Sequence, residues 1–273
     1  MITRFAPSPT GRLHLGHAFS AWLAWERAQE VGGEFLLRFE DIDHTRVREE
    51  YYFGIEEDLR WLGIAWKGEP WRQLERLEAY AMALDCLRDL KLLYPCFCTR
   101  KELSQAAPQE GAGFSLYPGS CRDLSEEERA KRLRLGEVYC WRLDMEKAAA
   151  RVGEGVFLDE RFGEVRVRPS ILGDPVVARK DIATSYHLAV VVDDAAQGVT
   201  EVVRGEDLLE STHVHRILQQ LLGFPAPKYF HHSLVVDEEG RRLAKRHDAL
   251  AIATLRESGW SAKEVITRAN AKF

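Results

Sequence analysis

An α/β fold built on a doubly wound parallel sheet is predicted by three observations in the 273-residue sequence. Apolar stretches of strand length alternate with stretches whose apolar residues recur at helical spacing. The alternation breaks off near residue 94 and resumes near residue 185. The first strand runs straight into a turn containing proline and glycine and then into a helix. Two βαβ halves divided by an inserted module account for all three. In order, Arg4-Phe5-Ala6-Pro7-Ser8-Pro9-Thr10-Gly11-Arg12-Leu13-His14-Leu15-Gly16-His17 reads as a short strand, a turn and the start of a helix over residues 15–31. Gly33 to Glu40 is an apolar run of strand length, expected to be buried. Helical spacing follows at about 46–63 and 72–92. From Tyr94 to about Pro169 the pattern changes, and four of the five cysteines fall there. Beyond it, Ser185–Val192 and Val199–Val203 read as strands, Thr212–Leu222 as a helix and Ser233–Val236 as a strand. The predicted division is a first half (1–93), an insertion (94–169), a second half (170–236), and a cationic loop opening a helical region (237–273).

Composition narrows the class. Hydrophobic residues make up 45% and charged residues 30%, which excludes a disordered chain. With no signal-like N-terminus and no apolar run of about 18 residues, neither secretion nor membrane spanning is expected. Five cysteines fit a reducing compartment better than a disulfide framework, so the cytoplasm is the expected location. The net charge of −5 argues against a uniformly nucleic-acid-binding surface, but the distribution of charge decides that question. Basic clusters occur at residues 129–134 and 241–246, and the first is equally readable as a solvated helix face.

Two constellations carry chemistry. A helix beginning near His14 presents backbone amides and the positive end of its dipole to an anion, and Gly16 lets a nucleotide approach the backbone. His14 and His17, three apart, share one face, although a lone histidine is more often a satisfied structural residue. Cys96-Phe97-Cys98 is followed after 18 intervening residues by Tyr117-Pro118-Gly119-Ser120-Cys121. Three thiols so placed suit zinc, with Tyr117 as an unusual fourth donor; reduced, unligated cysteines are the alternative. Cys86 and Cys140 are left as small buried hydrophobes.

The string from Arg4 to His17 resembles the His-x-Gly-His motif of class I aminoacyl-tRNA synthetases in the form used by their glutamyl branch. Arg242-Leu243-Ala244-Lys245-Arg246 is similar to the second motif of that class, K-M-S-K-S, with Arg242 for the first Lys and Ala244 for Ser. The cysteine pattern and Tyr186–Asp194 resemble the short paralogues of glutamyl-tRNA synthetase that act on queuosine in tRNA(Asp), and the resemblance covers almost the whole chain. It implies a Rossmann-like catalytic domain that activates L-glutamate with ATP and Mg2+ and passes it to tRNA(Asp) bearing queuosine. His14, His17 and Lys245 would be catalytic, and with Gly16 would bind ATP. Arg4, Ala6, Ser8, Glu40, Tyr186 and Arg204 would form the glutamate pocket, with Glu40 on the ammonium. One structural zinc ion per chain would sit on Cys96, Cys98, Tyr117 and Cys121. A monomer is implied, without the anticodon-binding domain of the long enzyme, since the chain stops 27 residues after Arg246. Three alternatives remain open: a truncated conventional glutamyl-tRNA synthetase, a catalytically silent zinc-containing RNA-binding protein hinted at by Arg242 and Ala244, and an unrelated nucleotidyltransferase. The last leaves Glu40, Tyr186 and Arg204 unexplained.

Overall fold

The computed structural model describes residues 1–105, 117–234 and 251–270. The chain runs β1 (Ile2–Phe5), α1 (Leu15–Glu30), β2 (Glu34–Phe39), α2 (Glu49–Trp61), β3 (Trp71–Arg72) and α3 (Leu77–Asp89). Next come β4 (Leu93–Cys96), α4 (Arg100–Gln105), α5 (Glu126–Arg134), β5 (Cys140–Leu143), α6 (Met145–Val152), the hairpin β6 (Val156–Asp159) and β7 (Gly163–Arg166), and β8 (Val176–Ala178). The remainder is α7 (Tyr186–Ala196), β9 (Glu201–Gly205), α8 (Leu209–Leu222), β10 (Lys228–His232), α9 (Ile252–Glu257) and α10 (Ala262–Asn270).

β2 pairs in parallel with β1 and β3, and β10 pairs in parallel with β9 and β6. β9 lies against β1, and the Thr200 amide donates to the Ile2 carbonyl at 3.0 Å where both strands begin. From that junction the chain winds outward in opposite directions, to β2 and β3 on one side and to β10, β6 and β7 on the other. In such sheets ligands bind beyond the carboxyl ends of the strands at the reversal.

Alternation along each strand sends successive side chains to opposite faces. Thr3 donates to the Ala24 carbonyl of α1 at 2.7 Å, while its neighbour Arg4 reaches Asp194 of α7. On β2, Phe35, Leu37 and Phe39 join the core under α1, while Arg38 turns to α7. α1 packs closely because Ala18, Ala21, Ala24 and Ala28 form a fully buried stripe. A second core lies among α3, α6, α7 and α8. Within 94–169, β4 and β5 form an antiparallel sheet with β8, whereas the β6–β7 hairpin joins the parallel sheet through β10. In α5 no residue is buried, and Glu128 pairs with Lys131 and Arg132.

Several expectations are corrected. Ser185–Val192 is not a strand but the start of α7, with Ser185 at its N-cap. Residues 188–194 are all buried, and the run Leu188–Val192 is apolar on every side, so it carries no periodic polar face to distinguish it from a buried strand. The last expected strand, Ser233–Val236, is displaced to Lys228–His232; Ser233 and Leu234 follow it, and Val235 and Val236 lie outside the described residues. Cys86, expected to be buried, is exposed on α3, whereas Cys140 is buried.

Candidate active site

A cavity of about 560 Å³ opens at the carboxyl ends of β1 and β9. Its walls include Arg4, Ala6, His14, Gly16, His17, Glu40, Tyr186 and Arg204, all named from the sequence. Ser8 is exposed and does not line the cavity; its hydroxyl donates to the Glu40 carbonyl at 2.7 Å. Lys245, Arg242 and Ala244 lie outside the described residues. The flanks of that segment are placed, however. Leu234 lines the cavity, and Ala251 bridges to His14 while the Ile252 amide donates to the Leu13 carbonyl at 2.9 Å. Ser20, Gly205, Asp207, Leu208 and His232 also line the cavity and had no sequence signal of their own.

The two histidines of the first motif cap α1. His14 is the N-cap, and its Nδ1 accepts from the Gly16 amide at 3.2 Å, while the His14 amide donates to Nδ1 of His17 at 3.3 Å. This is the reciprocal arrangement of a capping box, made here by imidazoles. An Nδ1 that accepts a backbone proton carries none of its own, so in each neutral ring the proton resides on Nε2. The rings stack with centroids 3.7 Å apart. The first-turn amides expected to meet an anion are thus partly used by the rings, and Nε2–H becomes the donor.

Beneath the cavity lies a buried ionic network. Arg4 binds Asp194 through Nε at 3.0 Å and through Nη2 at 3.3 Å, and fully buried Arg38 reaches Asp194 at 2.8 Å and Glu40 at 3.6 Å. Asp193 takes Arg76 at 2.6 Å and the Tyr80 hydroxyl at 2.7 Å. Three guanidiniums (Arg4, Arg38, Arg76) face three carboxyls (Glu40, Asp193, Asp194). Burial opposes ionisation of Asp194, but Arg4 and Arg38 outweigh it and hold its carboxyl low. For Glu40 burial wins: it pushes the carboxyl from its ordinary 4.5 up to about 7, against Arg38 and Arg4. A carboxylate under that strain gains from an incoming cation.

Arg204, buried at the end of β9, is surrounded differently. Its Nε donates to Nε2 of His231 at 3.1 Å, Nη1 to the Tyr186 hydroxyl at 3.2 Å, and Nη2 to Oγ1 of Thr212 at 2.6 Å and the Leu208 carbonyl at 3.3 Å. Nδ1 of His215 lies 3.3 Å from Nη1. Burial, with the charge of Arg204 second, lowers His187 to about 4 and His215 well below 6.5, so these rings are neutral. Every partner is a neutral acceptor, and among the described residues no carboxylate pairs with Arg204. Tyr186, expected at a strand end, is the first residue of α7.

The sulfurs of Cys96, Cys98 and Cys121 all lie within 4.8 Å of one another, and those of Cys98 and Cys121 are 3.5 Å apart. A tetrahedral thiolate centre with bonds near 2.3 Å spaces its sulfurs at about 3.8 Å, so the group fits a metal ion with little movement. The Tyr117 oxygen accepts the Cys121 amide at 2.7 Å, which places the phenol at the same cluster. The Cys140 thiol, opposed by burial and helped by Tyr117 and Arg142, holds Cys96 below the usual thiol range.

Comparison with known proteins agrees with this geometry. Residues 1–269 match the model of the family described as tRNA synthetases class I (E and Q), catalytic domain. The chain is 48% identical to a Glutamyl-Q tRNA(Asp) synthetase of Rhodobacter capsulatus, over 97% of this chain and 98% of that one. It is 38% identical to a Glutamate–tRNA ligase of Aquifex aeolicus, covering 94% of this chain and 54% of the relative. A crystal structure of a glutamate tRNA ligase from Elizabethkingia meningosepticum in complex with its amino acid superposes with a TM-score of 0.77 at 32% identity, over 91% of this chain and 52% of that one. The chain therefore spans about half the length of the glutamate ligases it matches. It belongs to the class I aminoacyl-tRNA synthetases of the glutamyl and glutaminyl branch, and within them to the Glutamyl-Q tRNA(Asp) synthetases.

Proposed function

We propose that the protein activates L-glutamate with ATP and transfers the glutamyl group to queuosine in tRNA(Asp). The observation that carries the reading is Arg204: a buried cation supplied with neutral acceptors and, among the described residues, no carboxylate, in the same cavity as a strained Glu40. Glutamate complements both. Its ammonium would relieve Glu40, and its side-chain carboxylate would replace a neutral acceptor on Arg204 with a charge-assisted bond. The α-carboxylate oxygen would attack the α-phosphorus of ATP, and the bond from that phosphorus to the bridging oxygen would break to release pyrophosphate. His14 and His17 would donate from Nε2 as negative charge shifts to the leaving group. Lys245 would meet the pyrophosphate; the anchoring of its segment at Leu234 and beside His14 supports that assignment. Mg2+ would travel with the triphosphate and screen its charge. The acceptor is supported by the name of the Rhodobacter relative. Cysteines without disulfides fit a reducing, cytoplasmic compartment.

The test is amino-acid-dependent ATP–pyrophosphate exchange, followed by labelling of tRNA(Asp) with radioactive glutamate and removal of the 3′-terminal adenosine. Exchange with glutamate but not glutamine, and label that survives only on queuosine-containing tRNA, are the expected results. Label lost with the terminal adenosine would instead identify a conventional glutamyl-tRNA synthetase.

Glu40 sets a pH dependence. Below about 7 its carboxyl is protonated and cannot pair with an ammonium, so the KM for glutamate should fall as pH rises through that value. Glu40→Gln should weaken binding and flatten the profile. Stability runs the other way, because a folded pKa above the unfolded one contributes fully below about 4.5 and is lost as pH rises through about 7. A flat wild-type KM profile would remove Glu40 from ammonium binding.

We assign one structural zinc ion to Cys96, Cys98 and Cys121, with Tyr117 as fourth donor. When bound it cross-links β4 to the turn that carries Cys121, and four protein donors leave no position for an activated water. Metal analysis of Cys98→Ser should show loss of zinc and a lowered melting temperature, since binding and folding are coupled. Stoichiometric zinc in that variant would overturn the ligand set.

A further inference from the structure

The cation that selects the substrate is held by a group that does not belong to the cavity wall. His231, on β10, accepts from Nε of Arg204 through Nε2 at 3.1 Å, and its Nδ1 lies 2.6 Å from Oδ2 of Asp159 at the end of β6. Tyr229 stacks on the His231 ring at 5.7 Å and 9°, which fixes the plane. Both His231 and Asp159 are fully shielded from solvent. We infer that Asp159 and His231 are positioning residues for amino-acid selection: Asp159 keeps the His231 proton on Nδ1, so that Nε2 meets Arg204 as an acceptor. The inference rests on the reading that Arg204 meets the side-chain carboxylate of glutamate.

The interposed imidazole has a chemical reason. A carboxylate placed directly on Arg204 would compete with the substrate's own carboxylate for the same cation. His231 fixes the guanidinium through its Nε edge while leaving its charge unmatched at contact distance. Thr212, whose Oγ1 lies 3.0 Å from Nε2 of His231, accepts from Nη2 of Arg204 at 2.6 Å and fixes a second edge. Opposite tautomers on the two sides complete the shell. His215 must accept on Nδ1 from Arg204, and its Nε2 lies 3.1 Å from Nδ1 of His187.

Asp159→Asn tests this role with the turn kept, at the expense of the 3.2 Å bond from the His231 amide to Oδ2. Oδ1 of Asp159 caps the β6–β7 turn by accepting the amides of Arg161 at 2.9 Å and Phe162 at 3.1 Å, and an asparagine oxygen can do the same. The new amide nitrogen would face Nδ1 of His231 as a donor, drive the ring proton to Nε2, and set donor against donor at Arg204. The KM for glutamate in ATP–pyrophosphate exchange should rise about tenfold or more, as when a ligand-orienting carboxylate is removed, with the KM for ATP and kcat within about twofold. His231→Gln can offer its oxygen to Arg204 without help, so in that background Asp159→Asn should add no further rise. Nitrogen NMR should find His231 protonated on Nδ1 in the wild type and on Nε2 in Asp159→Asn. An unchanged glutamate KM, additive losses shared with ATP, or a wild-type ring protonated on Nε2 would each overturn the relay. Exchange that does not depend on glutamate in the wild type would overturn the parent reading instead, and the NMR result would still decide the relay.

Discussion

Replacing Arg204 with alanine should raise the KM for glutamate about a hundredfold or more while leaving the KM for ATP nearly unchanged. Truncating one partner of a buried, hydrogen-bonded charge pair costs about 3 kcal/mol, and each 1.4 kcal/mol is a factor of ten. The charge count explains why the loss falls on this substrate. With Glu40 ionised, the ionic network under the cavity is matched, three cations against three anions, so Arg204 is an extra positive charge. Glutamate, with net charge −1 at neutral pH, matches it. Glutamine has no net charge and would leave a buried cation facing an amide. Exchange kinetics with both amino acids decide the matter, and an unchanged glutamate KM in Arg204→Ala would move this residue out of the pocket.

His17→Ala should slow adenylate formation about a hundredfold, the usual loss when one transition-state donor is deleted. Alanine also removes the acceptor that satisfies the His14 amide, which alone costs about 1 kcal/mol of stability. His17→Gln separates the two effects. A glutamine at this position of a capping box reaches back to the same amide and should restore the melting temperature, but it cannot place an imidazole Nε2–H on a phosphate. Recovery of the exchange rate in His17→Gln would reduce His17 to a cap.

The legible part of the site was the part written locally. Arg4, Ala6, His14, Gly16 and His17 fall within one strand, turn and helix start, and the structure gathers them with Glu40, Tyr186 and Arg204 around one cavity. The supporting shell was not legible. Asp193 and Asp194 close an apolar run, and a carboxylate pair there signals burial beside a cation, but Arg4 and Arg38 lie far away in sequence on strands paired with each other. Asp159 and His231 are 72 residues apart and meet only because β6 pairs with β10 at Tyr229. The same burial that hides these groups hid α7: an apolar run covered on every side has no period to betray whether it is a helix or a strand.

If His14 donates to ATP as proposed, the N-cap of α1 carries a cost that function would impose. Serine, aspartate and asparagine are the residues that best end a helix at this point, and His14 is none of them. Selection for thermal robustness alone would therefore replace His14 early, and on the proposed role of His14 the resulting protein would be sturdier and slower. On that role residue 14 would be a place where durability and turnover pull apart, and where a sequence drifting without the demand for chemistry should change first.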